Sequence, residues 1–175
     1  KIQAIDYNII TNTGAYGAHA LTILTCTGSR PLPLYNKVKN VRFDGKAVYT
    51  NLPVAGAYRG YGATQGFFAF EIFLDEIAEK VGIDPIELRK KNCIKENETS
   101  EIFELMGEGR PGVPQIVRSC KLDKCIEIGA KEINWYEKRK RKTKGSKKSG
   151  VGMCILMQAS GIPAIDMGGA TIKMN

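Results

Sequence analysis

Residues Phe67 to Asn92 constrain this chain more than any other stretch. Phe67, Phe70, Leu74, Ile77 and Val81 recur at steps of three and four, the period of a helix with one apolar face. Glu71, Asp75 and Glu79 line another face and read as solvated. Gly82 stops that helix. Asp84-Pro85-Ile86-Glu87 then starts another, with an acid at the N-cap, proline at the first helical position and a second acid at the third. Arg89, Lys90 and Lys91 suit its C-terminal end, where the helix dipole favours cations.

The segment that enters the first of these helices is AGAYRGYGATQG, Ala55 to Gly66. It places four glycines, two tyrosines and one arginine in twelve residues. A plain turn needs one or two glycines, so this backbone is built to come close to something. Amides at a helix entry can hold an anion, and an always-charged guanidinium beside them suits a phosphate. The pattern is neither GxGxxG after a strand nor GxxxxGK[ST], so a helix entry without ligand stays open. Tyr58 and Tyr61 can point to different sides, one into the core and one toward a flat ligand.

The rest of the chain reads as mixed strands and helices, an α+β fold, too irregularly interleaved for a Rossmann unit. Residues 2–11 form a strand, NTGAYG a turn, and AHALTILTCT a short apolar helix or buried segment. GSRPLPLYN, with two prolines, is a loop. KVKNVRFDGKAVYTN reads as a hairpin turning at Asp44-Gly45. Residues 95–114 make a long surface loop, and Leu122, Ile126, Gly129, Ile133 and Tyr136 mark a further helix. VGMCILMQ and GGATIKMN read as strands joined by the turn-rich ASGIPAIDM.

Several function classes are disfavoured. The formal net charge is +8, but eight of the 26 basic residues lie in KRKRKTKGSKK at 138–148, leaving 18 against 18 acids elsewhere. That localised excess reads as a solvated basic loop, without the aromatic interleaving of a nucleic-acid surface. No run approaches the roughly 18 apolar residues of a membrane span, and no signal-peptide pattern opens the chain. Five cysteines, with Cys120 and Cys125 at a spacing unlike CxxC, and one histidine, His19, argue against a local zinc site. Reduced thiols in a cytoplasmic protein are the expectation. His19 reads as a satisfied buried or half-buried histidine, and Asp166 as a turn acid or a site residue. Both ends read as cut from something longer.

NTGAYG, then AGAYRGYGATQG and FFAFEIFLDEIAEKVGIDPIELRKKN, resembles the molybdenum hydroxylases, the xanthine dehydrogenase and aldehyde oxidoreductase family. KCIEIGAKEINWYEKR and GVGMCILMQASGIPAIDMGGATIKMN resemble that family's next helix and strand pair, so the likeness spans nearly the whole chain. The resemblance implies an internal part of a molybdopterin-binding domain, residues 1–175, truncated at both ends. It implies a parent subunit carrying molybdenum on molybdopterin, as the cytosine dinucleotide in most bacterial members. Iron–sulfur (2Fe–2S) and FAD subunits or domains would be its partners. Such enzymes hydroxylate an N-heterocycle or an aldehyde with oxygen from water, a glutamate acting as base, while metal and pterin carry the hard chemistry.

By the same resemblance, Arg59, Gly60, Gly62 and Gln65 are cofactor-binding. Tyr61, Ser160 and Gly161 line the substrate pocket. The catalytic glutamate and two further glycine-rich segments match nothing in these 175 residues, so the fragment is expected to be inactive and to hold no cofactor tightly. Gly60 disfavours a carbon monoxide dehydrogenase, which has cysteine at that point. Xanthine-specific members carry an arginine on the helix near Thr27; none stands at that position here and Arg30 would require a shift, which disfavours xanthine as substrate. A non-catalytic nucleotide-binding or assembly module is the alternative reading, and a nucleic-acid binder acting through 138–148 is a third.

Overall fold

The computed structural model describes residues 1–107, 110–141, 145–158 and 167–174. Two long strands, β1 (Ala4–Gly14) and β2 (Asn40–Tyr49), lie side by side. Between them in sequence come helices α1 (Ala20–Ser29) and α2 (Pro31–Leu34). Helices α3 (Ala63–Lys80), α4 (Pro85–Asn92), α5 (Ile102–Leu105), α6 (Leu122–Glu132) and α7 (Trp135–Lys140) follow.

The expected hairpin at Asp44-Gly45 is absent. Residues 40–49 form one continuous strand, and it runs parallel to β1, from Ala4 opposite Asn40 to Asn12 opposite Val48. Gly45 sits inside the strand because α1 lies on it: a Cβ there would come 3.0 Å from Leu24 Cγ. A dipeptide that favours a turn locally is here a gap for a helix. Ile5, Tyr7, Val41 and Phe43 turn toward the core, as the two-residue strand period requires.

The loop expected at GSRPLPLYN is instead a buried helical turn. Leu32 and Leu34 are each 1% exposed, and proline at the first position starts α2 rather than breaking it. Behind it, α3 packs Phe67, Phe70, Leu74 and Ala78 into the core, whereas Val81, assigned to that face by period, is exposed. Gly82, at φ +68°, ends the helix, with Ile83 N–H donating to Ala78 O at 2.9 Å. Asp84 then caps α4 through Ile86 N–H at 2.8 Å. Its carboxylate also accepts from Trp135 Nε1 at 3.0 Å, tying α7 to the start of α4.

Glu71 is not solvated. It is 4% exposed and faces Arg89, at 1%, with Arg89 Nε donating to Glu71 Oε2 at 2.7 Å. The Tyr35 hydroxyl donates to the other carboxylate oxygen, and Ile155 N–H reaches Oε2 at 3.0 Å. Helical period alone cannot tell an outward acid from one met by a cation on the next helix.

Further on, the helix expected to run to Tyr136 breaks at Asn134, whose φ of +55° separates α6 from α7. The stretch 95–114 contains α5, and Thr99 bridges to Ile116. Of the segments expected as strands, 151–158 and 168–175, the first and the described part of the second, 168–174, pair with no strand among the described residues. The described residues of 138–148 are exposed, Lys138 to Lys140 as the end of α7. None of the five cysteines, all of them among the described residues, forms a disulfide.

Candidate functional site

The glycine segment becomes a short, tightly wound approach to α3. Ala55 N–H donates to Thr13 O at 3.0 Å, anchoring the segment beside the end of β1. The chain then turns, with Tyr61 N–H on Tyr58 O at 2.7 Å and Ala63 N–H on Gly60 O at 2.9 Å. Gly60, Tyr61 and Gly62 are consecutively left-handed, at φ +96°, +53° and +101°.

The structure supplies its own reasons for these glycines. A Cβ on Gly62 would lie 2.1 Å from Ile23 O, and one on Gly66 would lie 2.2 Å from Thr27 O, both on α1. The start of α3 therefore rests directly on the backbone of α1, and only glycine admits that approach. Gly56 differs, since a Cβ there would meet nothing within 4 Å. The glycines of the helix entry serve the α1–α3 contact first.

What the loop leaves outward is the guanidinium. Arg59 is exposed, and its side chain makes no hydrogen bond or ion pair among the described residues. Beside it, α3 begins with no side-chain cap and no acid in its first turn. A helix start that is uncapped and next to a fixed cation suits an anionic group, so these residues fit a phosphorylated pterin. Gln65 is exposed and accepts from the Thr64 hydroxyl at 2.8 Å.

A cavity of about 160 Å³ opens next to this loop, lined by the polar Thr11, Asn12 and Thr13 at the end of β1, by Ala20, Ile23 and Thr27 of α1, and by Ala55, Gly56 and Gln65. None of its lining residues is charged. The Thr27 hydroxyl is turned inward, donating to Leu24 O at 2.6 Å. Ala20, Ile23 and Thr27 fall at steps of three and four on α1, a helical face that period could have picked out and composition could not.

Tyr61 is half-buried and is not among the cavity's lining residues. Its hydroxyl meets His19 Nδ1 at 2.7 Å, and the two rings stand edge to face, 5.8 Å apart. His19 is exposed, against the expectation of a buried or half-buried histidine. It precedes α1 rather than sitting within its apolar face, so its ring reaches the glycine loop instead of the core. Tyr58 is 85% exposed, so neither tyrosine is a core residue.

Arg59, Gly60, Tyr61, Gly62 and Gln65 thus share one segment at one helix start. Ser160, Gly161 and Asp166 lie outside the described residues. Among the described residues no group of three or more histidines, cysteines or acids is placed to hold a metal ion. No helix among them is long and apolar enough to cross a membrane.

The fold and this loop have known counterparts. Residues 1–93 match the family described as the molybdopterin cofactor-binding domain. The chain belongs to that family. It is 36% identical over 176 residues to the protein named "Probable hypoxanthine oxidase XdhD" of Escherichia coli K12, covering 99% of this chain and 18% of that one. The xanthine dehydrogenase molybdenum-binding subunit of Escherichia coli O157:H7 is 33% identical over 178 residues, covering 99% and 22%. Among solved structures, the aldehyde oxidoreductase of Desulfovibrio gigas superposes with a TM-score of 0.59 at 26% identity, over 79% of this chain and 15% of that one. The chain spans about a fifth of the length of the curated relatives it matches.

Proposed function

We propose that this chain is part of the molybdenum-cofactor-binding catalytic subunit of an oxidoreductase that hydroxylates an aldehyde or an N-heterocycle with oxygen from water. The observation that carries the reading is one juxtaposition: an exposed guanidinium beside an uncapped helix start, next to an uncharged cavity the size of one ring. Its volume of about 160 Å³ is close to that of an engineered apolar cavity that accepts benzene. With no charged lining residue, the cavity suits a neutral flat substrate rather than an anionic one.

Residues 1–175 are then a partial molybdopterin-binding domain whose basic stretch, read as a loop at 138–148, begins on the last turn of α7. Arg59 and the amides around Gly60 and Gly62 hold the anionic side of the cofactor, and Gln65 borders both cofactor and cavity. Tyr61 lies on the same loop but outside the lining of that cavity; the family resemblance assigns its ring to an aromatic wall on the substrate side, where a flat substrate would stack. The family resemblance assigns Ser160 and Gly161, which lie outside the described residues, to substrate binding as well. When bound, the molybdenum cofactor supplies the oxidative hydroxylation chemistry, and the protein orients the substrate and excludes water. A base from outside this chain takes the proton. The cytosine dinucleotide form of the cofactor, iron–sulfur and FAD subunits or domains as electron partners, and a cytoplasmic setting belong to the same reading.

The test is metal and pterin analysis of the full-length parent protein, with a dye-reduction screen of benzaldehyde, nicotinate and hypoxanthine. Stoichiometric molybdenum with turnover of one of these is expected. The 175-residue chain alone is expected to hold no molybdenum and show no turnover. A parent without molybdenum, or a 175-residue chain with a full complement of it, overturns the proposal.

A further inference from the structure

His19 is the chain's single histidine, and the family resemblance assigns it no role. Its backbone is fixed at the start of α1: His19 O accepts from Ile23 N–H at 2.9 Å, and Gly17 O accepts from Ala20 N–H at 2.8 Å. Gly17 lies against Tyr49, where a Cβ would come 2.7 Å from the phenol oxygen. Ala18, at φ +34°, bends the chain so that the imidazole leaves the helix toward the glycine loop. On the facing side, Tyr61 is the one residue with a Cβ among three consecutive left-handed residues. That backbone is uncommon for such a residue and persists only where its surroundings hold it. The 2.7 Å contact between His19 Nδ1 and the Tyr61 hydroxyl is the hold on the far end of the side chain. It joins residues 42 apart in sequence. The loop fixes Cα and the imidazole fixes the hydroxyl, which sets the ring's axis. Its plane is held by the edge-to-face contact with the imidazole, 5.8 Å between centroids and 63° between planes, and by the hydrogen bond, which a phenol oxygen favours in the plane of its ring.

We infer that His19 is a positioning residue: through the hydrogen bond to Tyr61 it fixes the plane of the aromatic wall, and so how a flat substrate is held. The inference rests on the reading of Tyr61 as that wall. A clasp joining two loops for stability alone has a different signature, because its loss lowers the melting temperature without changing substrate affinity. Losing ring orientation weakens ground and transition states alike, which raises KM and leaves kcat in place.

Two measurements test this. In the full-length parent protein, assayed with the best substrate of the screen above, His19→Gln and Tyr61→Phe each raise KM about fivefold, roughly the worth of one hydrogen bond. The kcat stays within about twofold of the parent value, and the double variant is no worse than either single one. His19→Asn, which carries a polar atom where Nδ1 stood, keeps KM within about twofold of the parent value; His19→Gln, whose polar atoms lie further out, does not rescue. In the 175-residue chain, the single histidine gives one pair of imidazole nitrogen resonances, and Tyr61→Phe shifts the Nδ1 signal. An unmoved signal in a variant with unchanged circular dichroism overturns the pair itself. A moved signal with KM unchanged in His19→Gln overturns the positioning role. In that case Tyr61→Ala separates the two ideas, since a raised KM there leaves the wall standing and an unchanged one removes it as well.

Discussion

Arg89→Met removes the cation of a buried ion pair with little change in volume. Arg89 and Glu71 are 1% and 5% exposed by side chain, and the guanidinium spends all its reach locally. Nε meets Glu71 Oε2 at 2.7 Å, one terminal nitrogen meets Asp75 Oδ1 at 2.6 Å and Pro85 O at 3.2 Å, and the other meets Glu71 O at 2.9 Å. Burial by itself would lower the Arg89 pKa, but the Glu71 carboxylate outweighs it and the guanidinium is held above its ordinary value. Burial first, and then Glu71, push the Tyr35 phenol well above its ordinary range, so it stays a donor at any working pH. Methionine fills a similar volume but leaves Glu71 a buried charge served only by Tyr35 and Ile155 N–H. Removing one partner of a buried pair costs about 3–5 kcal/mol, against a total stability of about 5–15 kcal/mol. Adding Glu71→Gln removes the stranded charge, and its amide can still serve Ile155 N–H or the Tyr35 hydroxyl, so at most one of the two is orphaned, at about 1–3 kcal/mol. The double variant should therefore be more stable than Arg89→Met by about 1–3 kcal/mol. Trp135, the one tryptophan and fully buried, reports unfolding in urea by its fluorescence. A loss below about 1 kcal/mol for Arg89→Met, or a double variant less stable than the single, refutes the view that an unpaired charge sets the cost.

Gly62→Ala adds a Cβ 2.1 Å from Ile23 O at a backbone φ of +101°. It should cost more than about 2 kcal/mol in the same urea assay, whereas Gly56→Ala, with nothing within 4 Å, should be near neutral; equal effects would sink the packing account of the loop. Glu98 is held down to about 2 from 4.5, chiefly by its hydrogen bond with Lys37 and also by Asn36 and the Lys95 amide. A carboxyl depressed in the folded state stabilises above its ordinary pKa, and that contribution fades as pH falls through 4.5 toward about 2. Glu98→Gln should be slightly less stable than the parent at neutral pH, by under about 1 kcal/mol for so solvent-screened a pair. Denaturation curves should converge as pH falls through that window, and a gap that persists below it rules out the ion pair as cause.

The two helices at 63–92 were legible because every signal for them is local. Gly82 takes the left-handed stop, Asp84 caps and Pro85 begins the next helix, each using atoms a few residues away. The glycine segment was legible as the entry to the first of these helices for the same reason. Its glycines were not legible as packing residues, because what excludes a side chain there is the backbone of α1, some forty residues earlier. Asp44-Gly45 misled in the same way: the pair favours a turn by itself, and only Leu24 pressing on the strand makes glycine a spacer. Glu71 carried a surface residue's local signature, and its partners Tyr35, Arg89 and Ile155 come from three other parts of the chain. His19 stood beside an apolar run and was read inward, yet its ring is drawn out by a hydroxyl 42 residues away.

The sequence alone determined where helices start and stop, which segment carries the exposed cation, and which family the chain resembles. These depend on backbone geometry and motif chemistry within a dozen residues. The tertiary structure decided the parallel pairing of β1 with β2, the burial of Glu71 and the pairing of His19 with Tyr61. Each of these is a meeting of groups far apart in the chain, whose free energy depends on what faces them once the chain has closed.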